Sequence, residues 1–391
     1  MRGLPDAGEE GTHDVSAFSL GIEEEYLLVD PVSRDLVASP DPAFMRRCEE
    51  LVGDRVAHEL LQAQVEIDTP PCADVAELRA ALRHLRGGIV TAAEEHGMAV
   101  VAASTHPFAE WRALKRVSRE RYDELARDLR MLADRLAICG MHVHVGVDDP
   151  DERVDLMTQA TYFLPHLLCL STSSPFWRGE PSGLMAYRPT VFRDLPRTGL
   201  PEPLESHRHW QELLATLEET GLCKDGSKVW WDLRPSIHFP TLEMRICDVC
   251  TRLEDAVTIA ALFQALVATL HRLKRNNQSW RQYRRLLIEE NKWRAQRYGV
   301  GGALADFGCR RLKPFAELIE ELVELVEAEA ARLGCATEVR HARAIVAAGT
   351  SADHQLRVYQ ERLEAGATAR DALDAVVDWL VATTRAGVGD G

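Results

Sequence analysis

Apolar and polar residues alternate over several short stretches of the first 250 residues. This alternation is typical of strands, because successive side chains of a strand point to opposite faces of the sheet. The stretch 57–69 is ambiguous between strand and helix, and a turn at Thr69-Pro70-Pro71 ends it. The stretch 228–247 has the pattern of a hairpin around Arg234-Pro235. The remaining stretches with a strand pattern are 18–30, 98–104 and 138–147.

Helical periodicity alternates with these strands and then dominates the chain after Leu253. The segment 74–97 begins at Asp74 with Glu77 three residues later, which is a capping-box pattern. The stretch 171–203 is rich in Pro, Gly, Arg and Ser, and a loop of this length is usually functional. The further predicted helices are 118–136, 151–170 with an interruption at Pro165, 255–274, 278–294, 313–333 and 367–384.

These elements predict an α+β fold in which an antiparallel sheet carries helices on one side. Residues 1–17 are polar and acidic, and we expect them to form a disordered tail. No linker is evident after them, so we predict a single domain over 18–391 with a helical subregion from about residue 253.

Composition excludes several classes of protein. The 391 residues carry a net charge of −15, from 46 basic and 61 acidic side chains, which argues against binding to nucleic acid or anionic membranes. The longest apolar runs are shorter than a membrane span, and residues 1–17 lack the apolar core of a signal peptide. We therefore expect a cytoplasmic protein.

The nine cysteines are expected to be reduced thiols, since an odd number scattered through apolar contexts does not form a disulfide framework. Cys247 and Cys250 form a C-x-x-C motif, but a structural zinc site needs two further ligands and the chain has no second such motif. Buried thiols are the preferred interpretation of this pair, and a zinc or redox role is the alternative.

Acidic and imidazole side chains lie on single faces of four short segments that have a strand pattern, one of which is Gln64–Asp68. Glu23 lies on the same face as Glu25, and His142 on the same face as His144, as does Glu243 with Arg245. A face rich in carboxylates is costly to bury unless cations neutralise it. Oxygen ligands with one imidazole suit Mg²⁺ or Mn²⁺, and magnesium sites usually also hold substrate phosphates. The pattern therefore predicts ATP chemistry on a sheet, in a chain without a Walker loop or a strand–GxGxxG–helix unit.

Each of these features has a simpler interpretation when it is taken alone. The acids of the first strand could be solvated on a sheet edge, and the histidines could be core groups with satisfied hydrogen bonds. Glu243 and Arg245 could form an ion pair. Glu59 and Glu66 are seven residues apart, so they share a face of a helix, but not of a strand unless a bulge intervenes.

Several segments together resemble the signature segments of the carboxylate–amine ligases, the glutamate–cysteine ligase type 2 or YbdK-like family. The resemblance extends in order from about residue 18 to about residue 380, which makes chance an unsatisfactory explanation. The segments that carry it are Gly21–Tyr26, Gln64–Pro70, Cys139–Gly146, Ser174–Gly179, Tyr187–Pro189, Arg234-Pro235, Thr241–Asp248, Asn291–Arg294 and Ser351–Gln355.

The resemblance implies a fold similar to the glutamine synthetase catalytic domain, in which a curved antiparallel sheet forms a funnel with helices packed on its outer side. It also implies an ATP-dependent ligase that forms a carbon–nitrogen bond. In that reaction a substrate carboxylate takes the γ-phosphoryl group, and an amine then displaces phosphate from the acyl phosphate. For a glutamate–cysteine ligase the product is γ-glutamylcysteine, and the cofactors implied are ATP and Mg²⁺ or Mn²⁺.

We assign candidate roles to the matching residues. Arg245, Glu243 and His144 are the catalytic candidates, with Arg245 facing the γ-phosphate. The metal-ligand candidates are Glu23, Glu25, Glu66, His142 and Glu243, with Glu59 as a weaker one. The candidates for holding the nucleotide are Arg245, Asn291, Arg294 and Lys228. The candidates for holding substrate are Arg188, Arg234, Trp177 and Trp230, because arginines bind carboxylates through paired hydrogen bonds.

Three alternatives remain open at this point. The same ligase chemistry could act on another carboxylate or amine. A metal-dependent amidohydrolase also carries His-x-His on a strand, although usually early in the chain and within a regular β/α alternation. A protein with this fold could also bind metabolites without catalysis. In each case the expected partners are small molecules such as amino acids and ATP, with no nucleic acid and no membrane. The long apolar stripes of the C-terminal helices are also compatible with a homodimer.

Overall fold

The computed structural model describes residues 18–110, 114–117, 127 and 129–388. The predicted tail 1–17 and most of the predicted helix 118–136 lie outside the described residues. The strands are β1 Leu20–Val29, β2 Val56–His58, β3 Gln64–Asp68, β4 Ala99–Val101, β5 Met141–Gly146, β6 Phe176–Trp177, β7 Glu180–Pro181, β8 Thr198–Gly199, β9 Trp230–Trp231, β10 Leu233–Pro235, β11 Thr241–Met244, β12 Ala303–Asp306 and β13 Arg311–Pro314. The α-helices are α1 Pro42–Val52, α2 Val75–Glu95, α3 Met131–Asp134, α4 Pro150–Ala160, α5 Leu164–Ser171, α6 Arg188–Phe192, α7 His207–Glu219, α8 Leu253–Arg275, α9 Arg285–Tyr298, α10 Phe315–Arg332, α11 Ala336–Ala348, α12 Ser351–Glu364 and α13 Ala369–Ala386.

One seven-stranded sheet organises the described residues, in the order β10-β11-β5-β1-β3-β2. Every neighbouring pair is antiparallel. β5 pairs with the N-terminal half of β1, and β4 pairs with the C-terminal end of β1. The predicted α+β class with an antiparallel sheet is confirmed.

Helices α2 and α8 cover one face of this sheet. Helix α2 begins where predicted, since the Asp74 side chain accepts a hydrogen bond from the Glu77 backbone N–H at 2.9 Å. Its buried stripe includes Leu78, Leu82 and Ile89, which recur at helical spacing. Helix α8 is long and apolar enough to pass a length-and-composition test for a membrane span, but 94% of its most apolar window is buried inside the protein. The apolar run is therefore longer than the sequence pattern suggested, and it is accounted for as a core helix.

A fully buried ion pair joins α2 to the covered face of β1. Both Glu24 and Arg86 have side chains with no exposed surface, and their closest contact is 2.7 Å. The guanidinium also donates to the backbone carbonyls of Thr251 and Cys250, and it lies 5.5 Å from the ring centre of Tyr26. Glu24 was expected on the face opposite Glu23 and Glu25. The structure shows that this face is the helix-covered one.

Several element boundaries differ from the prediction. The ambiguous stretch 57–69 contains parts of two paired strands, β2 and β3. Arg234 and Pro235 lie within β10, so the hairpin turn comes after them, between β10 and β11. The helix predicted over 151–170 breaks at a 3₁₀ turn, Thr161–Phe163, and not at Pro165. Helices α1, α6, α7, α11 and α12 were not predicted, and α6 lies within the stretch 171–203 that was expected to be a loop. Helix α7 packs Trp210, Leu213, Leu214 and Leu217 against the core at helical spacing, so its pattern was overlooked, whereas α12 fully buries only Ser351, Ala352 and Gln355.

Candidate active site

The strand register brings the predicted acids and imidazoles together on the open face of the sheet. Glu23 on β1 is paired with His142 of β5 on one side and with Asp68 of β3 on the other. Glu25 is paired with Glu66, and His144 with Glu243. Directly paired residues point to the same side of a sheet. One cluster therefore forms from four strands that are far apart in sequence.

Glu23 is the centre of this cluster. Its Oε2 lies 2.8 Å from His142 Nδ1, and its Oε1 lies 3.4 Å from His144 Nε2. Burial alone would raise the pKa of Glu23, but the hydrogen bonds and charges of the two histidines outweigh burial and lower its pKa well below the usual value. Glu23 is therefore a carboxylate at neutral pH.

The pKa values of the two histidines are shifted in opposite directions. Burial lowers the pKa of His142 to about 4, and the charge of Arg245 adds to the effect. Burial would also lower the pKa of His144, but its partner Glu23 raises it overall. Because Glu23 is an acceptor, neutral His142 donates from Nδ1. This leaves a lone pair on Nε2, which is buried without a hydrogen-bond partner among the described residues.

Glu243 is held between two arginines. Arg234 donates from Nε to Glu243 Oε2 at 2.9 Å and from Nη2 to Oε1 at 3.1 Å, and Arg245 Nη1 also donates to Oε1. Burial would raise the pKa of Glu243, but these guanidinium groups lower it strongly. Oε1 accepts from both arginines and Oε2 from one, so Oε2 keeps one unused lone pair.

Arg234 was expected to hold substrate, and the structure gives it other partners. Its Nη1 donates to the backbone carbonyls of Ser227 at 3.0 Å and Val229 at 2.6 Å, while Nε and Nη2 bind Glu243. The residue is buried. Four of the five guanidinium N–H groups are therefore hydrogen-bonded to protein, and the structure places Arg234 as a support for Glu243.

A second group of acids lies on the other side of Glu23. The carboxylates of Glu25, Glu59 and Glu66 have oxygens within 4.8 Å of one another. Burial raises the pKa of Glu25 to about 8, and the Glu59 charge adds to the rise. Burial also raises the pKa of Glu66 well above its usual value, again with Glu59 contributing. Glu59 lies in the connection between β2 and β3. The chain reverses there and brings Glu59 beside Glu66, although the two residues are seven apart in sequence.

This donor set fits a divalent cation. Three groups each offer ligand atoms within 4.8 Å of one another. The buried Nε2 atom of His142 has no hydrogen-bond partner among the described residues, and a cation beside Glu25 and Glu66 would offset the burial and repulsion that raise their pKa values. Carboxylate oxygens with few imidazoles are typical of Mg²⁺ or Mn²⁺ sites. The groups are Glu23, His144 and Glu243; Glu23, Glu66 and His142; and Glu25, Glu59 and Glu66.

Arg245 lies at the edge of the cluster. Its Nη1 is 3.4 Å from His142 Nδ1 and also contacts Glu243. Its Nε is buried without a hydrogen-bond partner among the described residues. Burial would lower the pKa of Arg245, but the Glu243 carboxylate raises it. The residue therefore stays cationic beside the predicted ligand groups.

The remaining substrate candidates lie around helix α6, where the Arg188 guanidinium is 5.5 Å from the centre of the Phe192 ring. Arg188 is buried, and its guanidinium lies against Gly140, which follows Cys139 and precedes β5. Trp177 is half-buried and has its ring 5.2 Å from that of Tyr187. Trp230 contacts the ring of Phe192 at 6.5 Å and the guanidinium of Arg197 at 5.7 Å. Of these, Arg188 is electrostatically connected to the acid cluster, through Glu25.

Two of the predicted nucleotide contacts, Asn291 and Arg294, bind backbone groups of strand β12. Asn291 exchanges hydrogen bonds of 2.9 and 2.7 Å with the backbone of Ala305, and Arg294 donates to the carbonyl of Ala303 at 2.6 Å. Both therefore fix strand β12 against helix α9. The Lys228 backbone carbonyl accepts a hydrogen bond from Arg197.

Two acids were missed as candidates by the sequence reasoning. Asp68 is paired with Glu23 across the strands, and the alternation of Glu66 and Asp68 on β3 was the available signal. Asp248 is fully buried behind the cluster, and no local pattern distinguishes it. Cys247 and Cys250 are buried, and burial raises the pKa of both thiols.

The comparisons with known proteins agree with the resemblance. The family model described as glutamate–cysteine ligase family 2 matches residues 19–378. A relative from Rhodospirillum rubrum with the provisional name glutamate–cysteine ligase 2 is 56% identical over 377 residues, covering 95% of this chain and 97% of its own. One from Jannaschia sp. with the same provisional name is 49% identical over 364 residues, covering 93% and 96%.

Two solved structures share the fold at low sequence identity. The glutamate–cysteine ligase of Francisella tularensis, solved in complex with AMP, has a TM-score of 0.66 at 13% identity, with 96% of this chain and 94% of that chain covered. The bifunctional glutathione synthetase of Pasteurella multocida has a TM-score of 0.67 at 14% identity, with 94% of this chain but 52% of that chain covered. The chain described here belongs to glutamate–cysteine ligase family 2.

Proposed function

We propose that this chain is an ATP-dependent carboxylate–amine ligase. The observation that carries the proposal is the position of Arg245, a cation beside three overlapping groups of carboxylate and imidazole ligand atoms on one sheet face. Phosphoryl transfer needs positioning and positive charge along the transferring oxygens more than covalent help from the protein. Family membership supports the same class of reaction.

The proposed reaction has two steps. A carboxylate oxygen of the first substrate attacks the γ-phosphorus of ATP, the bond to the ADP oxygen breaks, and an acyl phosphate forms. The amine nitrogen of the second substrate then attacks the acyl carbon, phosphate leaves and the nitrogen loses a proton. Arg245 would stabilise charge on the transferred group, since its Nε remains without a partner among the described residues.

A divalent cation, when bound, would neutralise charge on the nucleotide phosphates. Glu23, Glu66 and His142 are the residues we propose to hold it, together with the neighbouring groups around Glu243 and Glu25. Neutral His142 would present its Nε2 lone pair while its Nδ1 hydrogen is held by Glu23, which is the usual arrangement of a metal-binding histidine. His144 would complete the group with Glu243.

We propose glutamate and cysteine as the substrates and γ-glutamylcysteine as the product, in line with the names of the relatives. We also propose that the sheet curves into a funnel similar to that of glutamine synthetase, and that residues 18–391 act as one catalytic unit in the cytoplasm. An amidohydrolase is less well supported, because its barrel needs parallel strands and the main sheet described here is antiparallel.

The test is ADP release from ATP and Mg²⁺, with glutamate fixed and a panel of amines that begins with cysteine. Release that needs both amino acids, with a γ-glutamyl dipeptide detected by mass, supports the full proposal. Release with another pair keeps the ligase class and replaces the substrates. If no pair releases ADP but ATP with Mg²⁺ still raises the melting temperature, a non-catalytic binding role replaces the ligase.

A further inference from the structure

The loop-rich segment 171–203 is closed by a contact between residues that are far apart within it. Ser174 and Ala186 form a parallel bridge, and the Tyr187 backbone N–H donates to the Ser174 carbonyl at 3.0 Å. The N-terminus of helix α6, which carries Arg188, is therefore placed by the turn at Ser174.

The Ser174 hydroxyl strengthens this closure. Its Oγ accepts hydrogen bonds from the backbone N–H groups of Tyr187 at 2.8 Å and Arg188 at 3.1 Å. The same hydroxyl donates its proton to Asp248 Oδ2 at 2.7 Å. Because an ionised acceptor orients a hydroxyl, Asp248 fixes the direction in which the Ser174 lone pairs face the two amides.

Asp248 is fully buried and belongs to none of the three ligand groups. Its Oδ2 also accepts from the Ser173 backbone N–H at 3.0 Å, and the Ser104 hydroxyl interacts with the same carboxylate. A buried carboxylate carries a desolvation cost even when it is hydrogen-bonded, so stability alone is a poor reason for an acid at this position.

Helix α12 supports the same turn from the other side. Gln355 donates to the Ser173 carbonyl at 2.8 Å, and the Ala352 backbone N–H donates to the Thr172 carbonyl at 3.0 Å. The Thr172 and Thr350 hydroxyls are 2.7 Å apart. This accounts for the segment Ser351–Gln355, which stood out in the sequence but supplies no member of the acid cluster.

The Arg188 side chain connects the turn at Ser174 to the acid cluster. Its Nη1 donates to the carbonyls of Arg245 and Cys247, both at 3.2 Å. A Cβ at position 140 would lie 2.3 Å from its Nη2, so the guanidinium lies flat on Gly140. The Gly140 N–H in turn donates to Glu25 Oε2 at 2.7 Å.

We infer that Asp248 and Ser174 are positioning residues, which orient Arg188 to bind an anionic group of a substrate beside Glu25. The inference rests on the proposed function and adds residues to it. The anionic group is a substrate carboxylate or a nucleotide phosphate, since a guanidinium recognises both through paired hydrogen bonds.

The experiment compares Ser174→Ala with Ser182→Ala. Ser182 lies in the same loop and donates to the Pro175 carbonyl at 2.9 Å, but it does not contact Tyr187 or Arg188, so it is the matched control. Ser174→Cys keeps the volume with a weaker hydrogen bond and serves if Ser174→Ala does not fold. The readouts are KM for glutamate, KM for ATP, kcat, and calorimetric Kd for each ligand. Arg188→Ala, with and without Ser174→Ala, completes a double-mutant cycle.

We expect Ser174→Ala to raise KM and Kd about tenfold for one ligand, either glutamate or ATP. A tenfold change corresponds to the loss of one buried hydrogen bond. A rise for glutamate identifies a carboxylate at Arg188, and a rise for ATP identifies a phosphate. In the Arg188→Ala background the same change should have less than about a twofold effect. The inference is overturned if Ser174→Ala matches Ser182→Ala in both constants, or if its effect adds in full to that of Arg188→Ala. If the wild type binds the ligands but shows no turnover, the ligase proposal fails. The Kd values of the variants still test the present inference in that case.

Discussion

Glu25 of β1 and Glu66 of β3 lie directly opposite each other on adjacent antiparallel strands, with the oxygens of Glu59 close to both. Acids placed in this way repel one another when ionised. The arrangement is stable if the carboxyl groups are protonated or if a cation lies between them. The first prediction distinguishes these two states.

The stability of the metal-free protein should fall as pH rises through the titration of Glu25. The pKa of Glu25 is raised from 4.5 to about 8 in the folded protein. Its contribution to stability is therefore complete below about pH 4.5 and is lost as pH rises through about 8. Melting temperatures in EDTA should fall between pH 5 and 9 for the wild type relative to Glu25→Gln, and Mn²⁺ should offset the fall in the wild type.

The control for this experiment is Glu49→Gln on the exposed side of α1, which should follow the wild type at every pH. Parallel curves for the wild type and Glu25→Gln would show that Glu25 ionises normally, and a Mn²⁺ effect equal in both would remove Glu25 from the metal site.

The second prediction separates Glu23 from Glu243. Glu23→Gln keeps an oxygen for the His142 hydrogen bond, so it should lower kcat by about 100-fold or more while the protein stays folded. Glu243→Gln leaves Arg234 and Arg245 with an uncompensated charge in a buried position, and it should also cost about 3–5 kcal/mol of stability. Turnover assays and urea unfolding on both variants give the comparison. Normal turnover in both would reject the metal-ligand assignment.

The third prediction concerns the contact between Gly140 and Arg188. Gly140→Ala would place a methyl group 2.3 Å from Arg188 Nη2, so the guanidinium must move. We expect a loss of about 100-fold in kcat/KM, the scale of an ångström-sized misplacement in an active site, with overpacking costing about 1–3 kcal/mol. Gly301→Ala is the matched change, because nothing lies within 4 Å of a Cβ there. Equal activity of the two variants would show that Arg188 does not act in the cleft.

The fourth prediction concerns the buried pair of Glu24 and Arg86. Arg86→Met should destabilise the protein by about 3–5 kcal/mol in urea unfolding, because Glu24 would be left as an unpaired buried charge. Adding Glu24→Leu should recover part of this loss, since the pair can be replaced by apolar groups of similar volume. The exposed pair Arg208 and Glu212 provides the contrast, and Arg208→Ala should cost less than about 1 kcal/mol. A double variant as unstable as the sum of its single changes would contradict this account.

Much of the candidate site could be predicted from local pattern. Strand alternation assigned Glu23 and Glu25 to one face and Glu24 to the other, because this depends only on the two-residue period of a strand. The Asp74 cap of α2 could also be predicted, because its hydrogen bond to Glu77 spans three residues. Polar helices such as α12 were missed, because they bury few side chains and leave little periodicity.

Long-range partners were not readable from the pattern. Arg234 has the residue type of a carboxylate-binding side chain, and its hydrogen bonds to Ser227, Val229 and Glu243 depend on how β10 lies beside β11. Asn291 and Arg294 likewise bind the backbone of β12. The residue types indicated side chains that form hydrogen bonds. The segments that pack against these side chains determine which groups they bind.

The sequence by itself determined the family, the antiparallel α+β class and which residues share a strand face, since these depend on local spacing and residue type. Only the tertiary structure decided that Glu59 joins Glu25 and Glu66, that Arg234 supports Glu243, and that Asp248 binds Ser174. These contacts join segments that are separated by turns and loops. Strand register and loop closure depend on the packing of the whole chain, which a local pattern does not contain.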